Sequence, residues 1–139
     1  MSAADALAFL AEMSEAPLFT TGEWVQLGIA EPDGDQLIGD IGVHFASDRL
    51  TGEIGFTLSP AVQGRGIATA AVRQALLLFF GATCAQQVLG ITDSRNVASV
   101  RLLGRVGFRH HESRSTVFRG EPCTEEVYVL LRNDACGQP

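Results

Sequence analysis

The residues that could do chemistry gather first in one turn, Ser59-Pro60-Ala61-Val62-Gln63-Gly64-Arg65-Gly66-Ile67-Ala68-Thr69. It leads from a strand-like segment into an apolar, helix-forming one. The first amides of a helix have no intrahelical partner and lie at the positive end of its dipole, so such a junction suits an anion. Gly64 and Gly66 remove side chains where a phosphate would approach the backbone, Arg65 adds a fixed positive charge, and Ala68 lets the turn close tightly. Two familiar phosphate loops do not fit. No Lys follows Gly66, as a Walker-type loop requires, and Thr69 stands where a dinucleotide fingerprint needs glycine. On spacing alone the turn is either an anion cradle or a tight strand-to-helix connection.

Other reactive side chains are scattered. Cys84, Cys123 and Cys136 are odd in number and share no metal-like spacing, so neither a disulfide framework nor a metal site is expected, and a reducing cytoplasm fits them. His110 and His111 are adjacent and would face opposite sides of a strand, so with His44 they read as surface or edge histidines. Glu121, Glu125 and Glu126 form either an acidic lip for a cation or a solvated turn.

The elements that must position these residues follow from periodicity. Leu7, Phe9, Leu10 and Met13 predict an amphipathic helix over residues 3–14. Val25, Leu27 and Ile29 alternate as in a half-buried strand; Glu31-Pro32-Asp33-Gly34-Asp35 reads as a turn; Ile41, Val43 and Phe45, then Ile54, Phe56 and Leu58, continue an antiparallel meander. Residues 67–80 are almost wholly Ala, Leu, Val and Phe, which predicts a largely buried helix. A short inner strand is expected at 87–92, a helix over 96–106 ended by Gly107, and strands at 108–118 and 125–131. The order implies an α/β (α+β) domain over residues 1–139, with a mixed, mostly antiparallel sheet and a central βαβ crossover.

Composition narrows the partners. Hydrophobic residues at 46% and charged residues at 19% are those of a globular chain. A net charge of −6 disfavours nucleic acid and leans toward a cationic partner, or serves solubility alone. Ala75–Ala82, the longest apolar run, is far short of the ~20 residues that cross a bilayer, and the start has no signal-peptide pattern, so no membrane association is expected.

At Gln63-Gly64-Arg65-Gly66-Ile67-Ala68 the chain resembles the GNAT superfamily of acetyl-CoA-dependent N-acetyltransferases, through the Q/R-x-x-G-x-G/A motif. Asn96-Val97-Ala98-Ser99, then Leu102-Leu103 and Gly107-Phe108, resembles that family's N-x-x-S/A…GF helix; Gly52-Glu53-Ile54-Gly55-Phe56 looks like the preceding strand in the ribosomal-protein N-terminal (RimJ/RimL-like) branch. The resemblance implies a GNAT-like fold, acetyl-CoA as cosubstrate and no metal. It places the pantetheine beside Phe56, Thr57 and Leu58, with Asn96 touching it, and the pyrophosphate on the amides of Gln63, Gly64, Arg65, Gly66, Ile67, Ala68 and Thr69. Glu53, ten residues before Gln63, would be the general base, or else a surface carboxylate. Ser99 would hydrogen-bond the thiolate, or else lie on the helix face without a ligand. Asn96 serves equally well as a helix cap. Leu103 stands where many members carry a tyrosine acid, and Tyr128 does not match that position.

The resemblance implies a fold that lacks the family's usual first strand before residues 3–14. That and the apolar Val127–Leu131 strand raise a homodimer as an expectation. The function implied is acetyl transfer to a primary amine, either a protein N-terminus or a small molecule such as a polyamine, aminoglycoside or amino acid, by direct attack. The alternative is a catalytically silent acyl-CoA-binding or dimerisation module of the same fold.

Overall fold

The computed structural model describes residues 19–30, 37–58 and 66–136. The expected helix at 3–14, the turn at 31–35 and the glycine turn from Ser59 to Arg65 lie outside them. The described elements are β1 (Trp24–Ala30), β2 (Leu37–Phe45), β3 (Thr51–Leu58), α1 (Ile67–Ala82), β4 (Gln87–Asp93), α2 (Val97–Val106), β5 (Arg109–Phe118), β6 (Glu121–Leu131) and a short α3 (Arg132–Cys136). The strands form one sheet in the order β1-β2-β3-β4-β6-β5. All neighbours are antiparallel except β3 and β4, which are parallel and joined through α1. This is the expected mixed sheet with its central crossover. Only α3, a single turn without hydrophobic periodicity, had no counterpart in the sequence reading.

Strand alternation sends Leu27, Ile41, Val43, Phe45, Ile54, Val88 and Leu130 to the face covered by α1 and α2, where all are buried. Helix α1 contributes Ala71, Val72, Ala75, Leu76, Phe79 and Phe80. Small and large residues alternate along that helix, so it settles close to the sheet. The Phe79 ring meets Phe19 and Phe45 edge-on, at centroid distances of 5.1 and 5.5 Å, arrangements that put ring edges against ring faces. Two glycines make this closeness possible. A Cβ at Gly52 would lie 2.6 Å from the Phe79 ring, and one at Gly90 would lie 2.7 Å from Leu103 of α2.

Helix α2 is delimited at both ends. The Asn96 side chain accepts from the Ser99 amide at its start; Gly107, at φ 113°, ends it with its N–H directed to the Gly104 and Leu103 carbonyls. After β6, Arg132 donates to the carbonyls of Ala85 and Thr83 at 2.6 and 2.7 Å and stacks on Phe80 at 5.1 Å. It ties the end of the sheet to the α1–β4 connection. Strand β6 lies between β4 and β5, so Val127 and Leu130 are buried within the chain itself. The outer strand β5 is exposed along nearly its whole length and rich in charge, which blunts an open edge.

The Gly52 contact is testable. Gly52→Ala should destabilise the fold by about 1–3 kcal/mol, because a rigid buried ring cannot yield to the added methyl; an unchanged urea midpoint would show that Phe79 has room to move.

Candidate active site

Strands β3 and β4 pair at only four positions, Thr51↔Gln87, Gly52↔Val88, Glu53↔Leu89 and Ile54↔Gly90. Beyond them the strands part. Each stays bonded to its other neighbour, β3 to β2 as far as Leu58 and β4 to β6 as far as Asp93. Among the described residues, the facing inner edges are therefore without a strand partner over 55–58 and 91–93. In the gap lies a cavity of about 70 Å³ lined by Ile54, Gly55, Phe56, Gly90, Ile91, Thr92, Asn96, Ser99 and Leu103.

Three residues proposed from the sequence thus meet in one place: Phe56 from β3, and Asn96 and Ser99 from the first turn of α2. Thr57 follows on the other face of β3 and is exposed, and Leu58 ends the strand. Ile67, Ala68 and Thr69 open α1. Gln63, Gly64 and Arg65 lie outside the described residues.

Gly66 caps α1 at φ 79° and ψ −7°, the left-handed region; among the described residues no side chain caps the helix there, and its first turn carries no acidic residue. Among the described residues, nothing would lie within 4 Å of a Cβ at Gly66. Backbone conformation, not crowding, is what asks for glycine. The amides that start α1 thus meet the electrostatic conditions of an anion site.

The turn from β4 into α2 is held by Asp93. Its carboxylate accepts from the Arg95 guanidinium at 2.9 and 3.0 Å and from the Arg95 amide at 2.8 Å. The side-chain bond from Arg95, then the backbone bond, lower the Asp93 pKa from 3.8 to about 2. A lowered carboxyl pKa favours the folded turn above about pH 4, and that contribution fades only as the pH falls toward 2. The Asn96 amide bonds the Asp93 carbonyl at 2.9 Å, so this turn also fixes where Asn96 stands. The Asn96 Oδ1 accepts from the Ser99 amide at 3.1 Å. Asn96 is thus a cap, with its side-chain NH₂ still able to donate toward the cavity.

Glu53 does not line the cavity. It sits one residue before Ile54 and projects to the opposite face of the sheet, half-buried, across from His44 on β2. Ser99 is half-exposed at the cavity wall, and Leu103, where many relatives of the resembled family carry tyrosine, is buried. Among the described residues no group of three or more His, Cys, Asp or Glu could hold a metal ion.

His110 is more than a stray histidine. A register shift at His111 turns His110, Ser113, Glu126 and Tyr128 to one face. His110 Nε2 lies 2.6 Å from a Glu126 oxygen, the Ser113 hydroxyl donates to Glu126 at 2.9 Å, and the Tyr128 ring packs edge-on at 5.2 Å. The serine and the carboxylate share one imidazole nitrogen, so the group cannot work as a nucleophile–base–orienter chain. Strand alternation alone could not reveal it, since the bulge breaks the period of two. Glu126 accordingly belongs to this cluster. A larger groove of about 460 Å³, bordered by Arg73, Leu77, Arg105, Arg109 and Asp134, contains none of the proposed site residues. Its Arg73 is already engaged with the Arg105 carbonyl at 2.8 Å.

Residues 1–109 match the family model described as acetyltransferase (GNAT) domain. The chain belongs to the GNAT acetyltransferase family. The N-acetyltransferase YoaA of Bacillus subtilis (strain 168), itself uncharacterized, is 28% identical over 120 residues, covering 84% of this chain and 68% of YoaA. Among solved structures, a protein from Vibrio cholerae assigned as a ribosomal-protein-serine acetyltransferase matches with a TM-score of 0.71 at 18% identity, covering 92% of this chain and 87% of that one. A spermidine N-acetyltransferase SpeG F149A mutant from Vibrio cholerae matches with a TM-score of 0.73 at 16% identity, covering 83% and 69%. At these identities the structures establish the GNAT fold, in agreement with the sequence resemblance.

The cap role of Asn96 can be separated from any ligand role. Asn96→Ala should lower stability by about 1 kcal/mol, whereas Asn96→Asp, which keeps an accepting oxygen, should stay near the parent. Equal urea midpoints for the alanine and aspartate variants would show that the cap contributes nothing.

Proposed function

We propose that this GNAT-family protein transfers acetyl from acetyl-CoA to a primary amine by direct attack, within the RimJ/RimL-like branch. The observation that carries the reading is the four-rung pairing of β3 and β4. It opens one cavity onto Phe56, Asn96 and Ser99 and leaves Glu53 on the far side of the same strand. The unpaired edge of β3 at Phe56, Thr57 and Leu58 fits an extended chain carrying amide groups, as an added strand would fit. The start of α1, free of acidic residues and entered through left-handed Gly66, suits a pyrophosphate. Gln63, Gly64 and Arg65 would complete that cradle from the turn before it, with Gly66, Ile67, Ala68 and Thr69 giving their amides.

Bound acetyl-CoA supplies an activated thioester carbonyl. The chain's own residues have three tasks. Glu53 takes a proton from the acceptor ammonium, directly or through a water, so that the free amine can attack from the face opposite the helices. The Asn96 side-chain NH₂ orients the pantetheine arm. The Ser99 hydroxyl hydrogen-bonds the sulfur as the new N–C bond forms and the C–S bond breaks, and the departing thiolate takes up a proton. No step uses a metal or a covalent enzyme intermediate.

Glu53→Gln should lower kcat/KM at neutral pH on the order of 10²-fold while acetyl-CoA affinity is kept; equal rates in both proteins would remove Glu53 from the mechanism. Gly66→Glu sets a carboxylate and a Cβ at the anion site, so thermal stabilisation by acetyl-CoA should vanish. If acetyl-CoA protected that variant as well as the parent, the phosphate assignment would be wrong. CoA release measured against an amine panel separates a transferase from a silent acyl-CoA-binding module, which would be stabilised by cofactor yet release no thiol.

A further inference from the structure

We infer that Leu103 sets the upper length of the acyl chain that the site can take; this rests on the acetyl-transfer reading above. Asn96, Ser99 and Leu103 follow one another at i, i+3 and i+7, so a single face of α2 carries all three to the cavity between β3 and β4. Burial deepens along that strip. Asn96 is exposed, Ser99 is half-exposed, and Leu103 is buried. The polar pair stands where the strands have diverged, and Leu103 stands over Gly90, which makes the last rung with Ile54.

The gap between the strands has a closed end, and that end is the rung Ile54↔Gly90. In the proposed reading the start of α1, which follows β3 along the chain, takes the phosphates. An arm laid along β3 from Leu58 then points its thioester inward, toward the closed rung. The acyl group comes last and meets whatever stands there. Alternation turns Ile54, Phe56 and Gly90 to the face that the helices cover, and Leu103 closes the space from α2. The acyl chain therefore ends against an apolar corner, one helical turn beyond Ser99.

That corner cannot retreat. A Cβ built on Gly90 would lie 2.7 Å from Leu103 Cδ2 and 3.3 Å from its Cδ1, with Phe108 Cε2 at 3.4 Å. The two methyls thus fill the place that a side chain at position 90 would take, and the Phe108 ring stands beside them. Leu103 is 1% exposed, and a side chain packed at interior density has no second position to swing into. The cavity before it measures about 70 Å³, while a water-sized group takes up ~30 Å³. An acetyl's carbonyl and methyl fit, and a longer tail must push on Leu103. A tyrosine here, as many relatives of the family carry, could give a proton. Leucine has none to give and acts through its shape alone.

The full chain would be assayed with acetyl-CoA, propionyl-CoA and n-butyryl-CoA against one amine that it accepts. In the parent, kcat/KM should fall roughly tenfold with each added carbon. Leu103→Ala should bring butyryl-CoA to within about tenfold of acetyl-CoA through a rise in the butyryl value. Leu103→Val, which removes less of the core, should stand between them. Ser99→Ala should slow all three donors alike and leave their ratios in place, which separates a wall from the group proposed to meet the sulfur. Thermal stabilisation by the same donors reads the corner without turnover: acetyl-CoA should protect the parent more than butyryl-CoA does, and the difference should close in Leu103→Val. A parent that takes butyryl-CoA as readily as acetyl-CoA, or donor ratios unmoved in both Leu103 variants, would overturn the inference and leave the transferase reading standing. Absence of CoA release with any donor and amine would instead bring down the transferase reading, and the protection series would then decide the role of Leu103.

Discussion

Everything at the site depends on two parallel strands that share four rungs and then separate. Parting is inexpensive because neither strand is left alone. β3 keeps its antiparallel ladder with β2, and β4 keeps seven pairs with β6. What is given up is confined to the facing inner edges, which a buried sheet could not leave unpaired without cost. In the proposed reading, the extended arm of acetyl-CoA would satisfy them. The fold thus leaves two facing strand edges in the centre of a sheet, where helices cover one side.

Closeness on the helix side and openness on the other both come from glycine, used in two ways. Gly52 and Gly90 admit Phe79 and Leu103 to within contact of the backbone, so the helices press on the paired part of β3 and β4 and hold its register. Past that part the pressure ends, and α2 begins with polar Asn96 and Ser99 where the strands diverge. Gly42 and Gly55 belong to the other face. One is roofed by Trp24 and Gln26, and the other is bare among the described residues. The same residue type sets packing distance on one side and clearance on the other.

Most of the fold could be read in the sequence because its signals are local. Period-two alternation marked β1, β2 and β3, and the Ala/Leu/Phe run marked α1. Asn96 and Gly107 delimit α2 through capping that depends only on neighbouring residues. The candidate site was legible to the extent that motifs carry it: Phe56, Asn96 and Ser99 are brought to one cavity. What escaped depends on cross-strand register. The placement of Trp24, His44 and Glu53 in one row needs the pairing of three strands, which no local pattern states. The His110–Glu126–Ser113 group needs a bulge that shifts β5 by one residue, reversing which side chains face together. Helix α3 is one turn long, too short to show a period.

For Glu53 to act as the proposed base, two faces are necessary. A base that must meet a cationic acceptor has to be reachable from water, while a thioester is best kept where water is scarce. One strand serves both by alternation: Ile54 and Phe56 face the cavity, and Glu53 faces away. Gly55 stands between them with no side chain to close the passage. Had residue 55 carried a large side chain, the carboxylate and the cavity would remain in place but be walled from each other. The proposed chemistry would therefore require the strand's parting and the bare residue at the fork together, since either alone would leave acceptor and thioester on opposite sides of an intact sheet.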